Sequence, residues 1–157
     1  MKSLIYFHFP RISIILACSC LCLGFVWQDN PHNITWADLK DVKFRKRFNK
    51  QENMFFLYPE FGSKIKALEG KEIQIRGYMI PVDPSANIFV LSANPMAACF
   101  FCGGSGPESI IQLKLKNPRK FITDEVWTVK GTLKLNADNI EELNYILQNT
   151  ETVKKGG

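Results

Sequence analysis

The stretch E-I-Q-I-R-G-Y-M-I-P, Glu72 to Pro81, decides the fold. Its side chains alternate, with Ile73, Ile75 and Met79 on one face and Gly77 among them. A period of two marks a half-buried strand. The stretch E-V-W-T-V-K-G-T-L-K-L, Glu125 to Leu135, repeats it: Ile73-x-Ile75-x-Gly77-x-Met79 is matched by Trp127-x-Val129-x-Gly131-x-Leu133. A glycine on the inward face of a long strand marks a bulge or barrel corner, where a side chain would collide. Two such strands predict a sheet curled into a small closed barrel.

Between these strands, Ile88 to Leu91 and Ile110 to Leu115 read as two more. In the second, Ile111, Leu113 and Leu115 face in and Lys114 faces out. After them, Asp138 and Glu141 have the spacing of a capping box, which favours a short helix. Tyr145-x-Leu147 followed by T-E-T-V reads instead as an edge strand. The adopted reading is a turn over Asn139 to Glu142 and a strand from Leu143 to Val153. The fold class is therefore mainly β, an OB-like barrel of about five strands with a short N-terminal helix.

Upstream, T-W-A-D-L-K (Thr35 to Lys40) starts that helix, with Thr35 as N-cap and Asp38 three residues on. Val42 to Lys50 carries Lys43, Arg45, Lys46, Arg47 and Lys50 with Phe44 and Phe48 interleaved. A nucleic-acid contact is one reading of such a run. A solvated face with two buried phenylalanines is the adopted one. M-F-F-L-Y-P-E-F (Met54 to Phe61) reads as core, a strand up to Tyr58 broken at Pro59; the alternative is a groove lined by aromatics. Phe61, Ile65 and Leu68 share a helical face, and Gly70 follows as the terminating glycine.

The N-terminus bears on location. Lys2 and Arg11 precede and flank an uncharged apolar run from Ile12 to Trp27. A basic residue followed by a short apolar run is the export-signal pattern. Residues 1–27 are therefore read as an export signal or membrane anchor, 28–35 as a linker and 36–157 as the barrel domain. Ile15-Leu16-Ala17-Cys18 resembles a lipoprotein signal with the lipid on Cys18. Cleavage near Cys22-x-Gly24 and an uncleaved anchor are the alternatives. The expected location is the bacterial envelope, periplasmic or membrane-anchored. The chain carries +5 at pH 7, falling to +3 without Lys2 and Arg11. That mild charge indicates no nucleic-acid partner. An exported protein or membrane partner is expected instead.

Gly70-Lys71-x-Ile73-x-Ile75-x-Gly77-x-Met79 and the second Val-x-Gly-x-Leu strand resemble the first and fourth strands of bacterial OB-fold domains. Trp36, Tyr58-Pro59, Gly77-Tyr78-Met79-Ile80-Pro81 and Cys99 to Glu108 are similar to an uncharacterised family of small exported bacterial proteins. The resemblance implies a fold and a site, with no established activity. It also implies that the cysteine partner in this loop varies, which suits a ligand more than a disulfide.

The chemistry concentrates in A-C-F-F-C-G-G-S-G-P-E-S, Ala98 to Ser109. Cys18, Cys20 and Cys22 lie in the leader, so the mature part keeps Cys99 and Cys102 alone. Gly103, Gly104, Gly106 and Pro107 shape the loop. Three readings stay open. A soft metal such as zinc would take Cys99, Cys102 and Glu108, with a second subunit completing the four ligands zinc prefers. A disulfide would pin the loop, as an oxidising compartment allows. Thiol–disulfide exchange is the third, although the glycines after Cys102 make a poor helix for activating a thiol. An OB barrel is also a common binding module, which makes Tyr78 and Phe89 candidate contact aromatics, with core packing the adopted reading of both. One histidine, His32, lies outside the leader, so no Ser/His/Asp set can be built. The expectation is a non-enzyme.

Overall fold

The structure, a computed structural model, describes residues 30–156. The segment read as an export signal or membrane anchor, with Cys18, Cys20 and Cys22, lies outside the described residues. Eight strands carry the fold: β1 His32–Asn33, β2 Val42–Asn49, β3 Met54–Phe61, β4 Glu72–Asp83, β5 Ile88–Ser92, β6 Ile110–Leu115, β7 Val126–Leu135 and β8 Tyr145–Lys155. One helical turn, α1, spans Ser63–Lys66.

Strands β4, β5, β6, β8 and β7 neighbour one another in that order, and β7 pairs back onto β4. This closes a five-stranded OB-like barrel. Four of its joints are antiparallel and one, β6 with β8, is parallel. Closure removes the free sheet edges that would otherwise invite aggregation. Inside lie Ile73, Ile75, Met79, Leu91, Ile111, Leu113, Val129, Leu133, Tyr145 and Leu147. They are the inward residues of the alternating pattern. Tyr145 donates its buried hydroxyl to the Leu39 carbonyl at 2.7 Å, so the turn before β2 is tied to the core.

The two glycines do what their strand position predicts. In the β4–β7 register Ile73 faces Gly131 and Gly77 faces Trp127, so each glycine opposes a large side chain. A Cβ on Gly77 would lie 2.6 Å from the Ser92 carbonyl oxygen and 2.8 Å from the Trp36 ring. On Gly131 it would lie 2.6 Å from the Gln148 carbonyl oxygen. The β7–β8 register shifts between Lys130 and Thr132, around that glycine. Strand backbones approach there as no other residue would permit.

Several expectations need correction. The short N-terminal helix is a single 3₁₀ turn at Asp38–Lys40. Thr35 is tied to it in the reverse sense, its N–H and Oγ1 both donating to Asp38 Oδ2 at 2.7 and 2.8 Å. The segment read as linker supplies β1, which pairs in parallel with Ile73 and Gln74. The adopted turn over Asn139 to Glu142 does form, in place of the capping-box helix, and the last strand follows as β8. Asn136 instead accepts the Asn139 N–H on Oδ1 at 3.0 Å and donates to the Asn139 and Glu142 carbonyls. Gly70 does take the left-handed backbone expected of it, at φ 76°.

The largest correction concerns β2 and β3. They form a two-stranded ribbon beside the barrel, and much of their apolar surface is exposed. Phe48, Met54, Phe55 and Leu57 are each about half exposed, so the phenylalanine pair is not buried and the core reading of Met54 to Phe61 holds only at its end, where Pro59 is buried and Phe61 packs against the barrel core. The strand also runs through Pro59, which pairs with Phe44. The Gly62 N–H donates to the Asp41 carbonyl, so even-numbered residues of β3 bond to β2. Odd-numbered residues then face the free edge, where proline forfeits no ladder bond.

Candidate functional site

The loop between β5 and β6 is built by its own polar groups. Asn94 donates to Ser105 Oγ at 2.7 Å, and Ser105 Oγ donates to the Ala98 carbonyl at 2.9 Å. The Met96 N–H donates to Asp124 Oδ1 at 2.7 Å, anchoring the loop to the segment before β7. A 3₁₀ turn covers Phe100–Cys102, closed by the Cys102 N–H on the Cys99 carbonyl at 3.2 Å. Gly103 follows at φ 75°, a conformation that suits glycine. Gly104 donates to the Cys99 carbonyl at 3.1 Å and lies so close to Ala98 that a Cβ would meet its carbonyl oxygen at 2.7 Å. Gly106 precedes a second 3₁₀ turn at Pro107–Ser109, whose Ser109 hydroxyl donates to the Gly106 carbonyl at 2.7 Å. The four loop-shaping residues therefore each have a local structural role.

Cys99 and Cys102 are not bonded to one another. Cys99 has extended backbone, φ −82° and ψ 178°, and is wholly buried, whereas Cys102 is exposed. Cys99 packs with Ile80, Val90 and Ile110 on the outer face of the barrel sheet, under Phe100 and Leu143. This second small core uses the strand residues that alternate with the barrel interior. Cys99 Sγ lies 3.9 Å from Met96 Sδ.

Glu108 does not join the cysteines. It lines a separate cleft with Trp36, Lys40, Asn94 and Ser105. Among the described residues, no three His, Cys, Asp or Glu side chains converge as a metal cluster. Burial pushes the Tyr145 hydroxyl well above its ordinary pKa, and the charges of Glu108 and Asp41 add to the effect. Glu108 thus faces the 3₁₀ turn at Asp38–Lys40 and the Tyr145 end of the barrel. Phe89 fits the adopted core-packing reading and not the contact alternative: it lies inside the barrel at 2 % exposure, edge-on to Phe121 at 5.5 Å. It offers a ligand no surface. Tyr78 is half-buried in β4, opposite Ser92 and Val126.

The opening with the most apolar lining among the described residues lies elsewhere, between the ribbon and the barrel. It is a groove of about 370 Å³. Four consecutive residues of β3, Phe55 to Tyr58, form one wall. Phe100, Pro107 and Ile110 form the floor, and Ile140, Leu143 and Asn144 the far wall. Phe100 therefore links the cysteine loop to the groove. The ribbon behind the wall is basic. Arg47 stacks over the Tyr58 ring at 4.2 Å and Lys46 over Phe55 at 5.0 Å. At the far wall, the hydrogen bond from Lys114 and the charges of Lys114 and Lys134 hold the Glu142 carboxyl below its usual range.

No protein-family model, curated protein or solved structure matches the chain. The site is therefore read from its own geometry. Sequence reasoning passed over Leu143 and Ile140 as groove residues, and held a groove lined by the Met54 to Phe61 aromatics only as the alternative to core. A signal was present. Met54-Phe55-Phe56-Leu57 is apolar on both faces of one strand, while the strand before it carries Lys43, Arg45 and Arg47 on one face and Lys46 among apolar residues on the other. A ribbon pairing the two cannot bury both of its faces.

Proposed function

We propose that the chain is an exported, non-catalytic binding domain that receives an extended apolar segment of a partner in the groove between ribbon and barrel. One observation carries this reading: a 370 Å³ apolar groove bordered by half-exposed Phe55 and Leu57 on the unpaired edge of β3. Residues 55 and 57 have the parity that aims N–H and C=O outward, so that edge can add one strand. Alternate side chains of the added segment would fill the groove over Phe100, Ile110 and Leu143. Pro59 limits the addition to the first half of the edge, which protects the ribbon from open-ended pairing. The leader pattern at Lys2, Arg11 and the apolar run supports delivery to the envelope. Among the described residues no helix is long and apolar enough to cross a membrane.

The buried state of Cys99 favours a packing role for that thiol over exchange chemistry, which needs an accessible thiolate. The single histidine among the described residues, His32, is exposed on β1, away from Cys99 and from the groove walls. That arrangement favours binding over catalysis.

Hydrogen exchange tests the reading. The full-length chain in mild detergent is incubated with a panel of extended apolar hexapeptides. Binding should protect residues 55–58 and 140–144, and Leu57→Lys should abolish that protection. Protection confined to other strands, or unchanged in Leu57→Lys, would sink the groove as the site.

A further inference from the structure

The cysteine loop also holds a third sulfur. Met96, Cys99 and Cys102 recur at intervals of three in M-A-A-C-F-F-C. Two successive 3₁₀ turns, Met96–Ala98 and Phe100–Cys102, carry them on either side of the extended Cys99 backbone. We propose that these three sulfurs form a binding site for a soft monovalent cation, copper(I), beside the groove whose residues Phe100, Ile110 and Leu143 pack against Cys99.

The first argument is distance. Cys99 Sγ and Met96 Sδ are 3.9 Å apart. Two sulfurs bound at about 2.3 Å to one three-coordinate ion stand about 4.0 Å apart. The pair is therefore already at the separation that a shared ion requires. Cys102 supplies the third ligand. Its N–H bond to the Cys99 carbonyl closes a tight four-residue turn, and its side chain is exposed, so binding the shared ion would draw it in by rotation about χ1.

The second argument is ligand type. Thioether and thiolate together select soft ions such as copper(I). Zinc takes four thiolate, imidazole or carboxylate ligands and is poorly served by a thioether. Glu108 lies in another cleft, and no fourth such group among the described residues joins the cysteines. The donor set is therefore two thiolates and one thioether, which suffices for copper(I).

The third argument is preorganisation. The Asn94–Ser105–Ala98 chain of hydrogen bonds and the Met96–Asp124 bond hold the loop from both sides. Met96 is 37 % exposed and covers the wholly buried Cys99, so an ion enters by displacing the thioether slightly outward. Binding releases the two thiol protons to solvent and leaves the site with one net negative charge. No electron is transferred.

The test uses the full-length chain in detergent with Cys18, Cys20 and Cys22 replaced by serine, so that the leader sulfurs take no metal. Copper(I) is presented anaerobically as its bicinchoninate complex, whose colour falls as the protein removes the ion. One copper(I) per chain should be withdrawn. Cys102→Ser should weaken binding about a hundredfold, Met96→Leu about tenfold, and Glu108→Gln not at all. X-ray absorption on the unsubstituted loop should find three sulfurs at about 2.3 Å, a readout that does not depend on how Met96→Leu folds. Failure to withdraw copper, a two-sulfur shell, or displacement of copper by equimolar zinc would overturn the proposal.

Discussion

Replacing Gly77 or Gly131 by alanine or valine tests why this chain closes into a barrel. At Gly77 the added Cβ would stand 2.6 Å from the Ser92 carbonyl oxygen, with the Trp36 ring at 2.8 Å and Leu91 Cγ at 2.9 Å. An ordinary carbon–oxygen approach in a sheet is about 3.3 Å, so the backbone must yield by about 0.7 Å. The obstacle is a neighbouring strand and cannot rotate away. Overpacking of this kind costs about 1–3 kcal/mol. Against it stands a gain of about 0.4–1 kcal/mol from a stiffer unfolded chain. The net expectation is about 1 kcal/mol for Gly77→Ala and about 2–3 kcal/mol for Gly77→Val. For roughly 130 residues each kcal/mol lowers the thermal midpoint by about 4 °C. Gly131, with the Gln148 carbonyl oxygen at 2.6 Å, should behave alike, and the two sites should add. Gly70 is the control. A Cβ there meets nothing within 4 Å, but φ is 76°, so Gly70→Asn should cost only a few tenths of a kcal/mol. Differential scanning calorimetry reads all of these. Midpoints of Gly77→Val and Gly131→Val within about 1 °C of wild type would refute the close approach that closes the barrel.

The two cysteines should differ in the metal-free protein. Cys99→Ser places a hydroxyl in an apolar pocket and should cost about 1–3 kcal/mol, whereas Cys102→Ser on the surface should fall within about 0.5 kcal/mol of wild type by urea titration. Equal losses at both sites would show that they act as one unit. Glu142 predicts an acid effect. The Lys114 hydrogen bond keeps its folded pKa below the unfolded value, so its stabilisation is full above about pH 5 and fades as pH falls through the folded pKa. The lysines are half exposed, so the effect is at most about 1 kcal/mol. Glu142→Gln should be less stable than wild type at pH 7, and the difference should shrink as pH falls below about 4; a constant difference from neutral pH into acid would contradict the assignment.

The barrel was legible because its signal is local. Alternation in Glu72 to Pro81, its repeat in Glu125 to Leu135, and a glycine at the same place in each define paired strands before any contact is known. The ribbon was misread because hydrophobicity does not say what covers a strand. Met54 to Phe61 has the composition of core, yet its partner strand is basic and the barrel interior is filled by other residues. Phe89 was legible: core packing, adopted for it over a ligand contact, holds because its strand position points inward. The site was half legible. The loop glycines announced a tight turn, but the opposite fates of Cys99 and Cys102 depend on the extended backbone at residue 99 and on a second core contributed by β4, β5 and β6. Met96 was passed over because a methionine in an apolar context reads as packing.

The groove is the centre of the functional account, and cross-linking from position 57 tests it most directly. A photoreactive phenylalanine analogue replaces Leu57 in the full chain, with a second chain carrying it at exposed Lys154 as control. Both are irradiated in the cells that make the protein, and the adducts are mapped to residue level. The account predicts one saturable adduct unique to position 57, joined to an extended apolar segment and lost when Leu143→Lys fills the far wall. Adducts shared by both positions, or undiminished by Leu143→Lys, would contradict it.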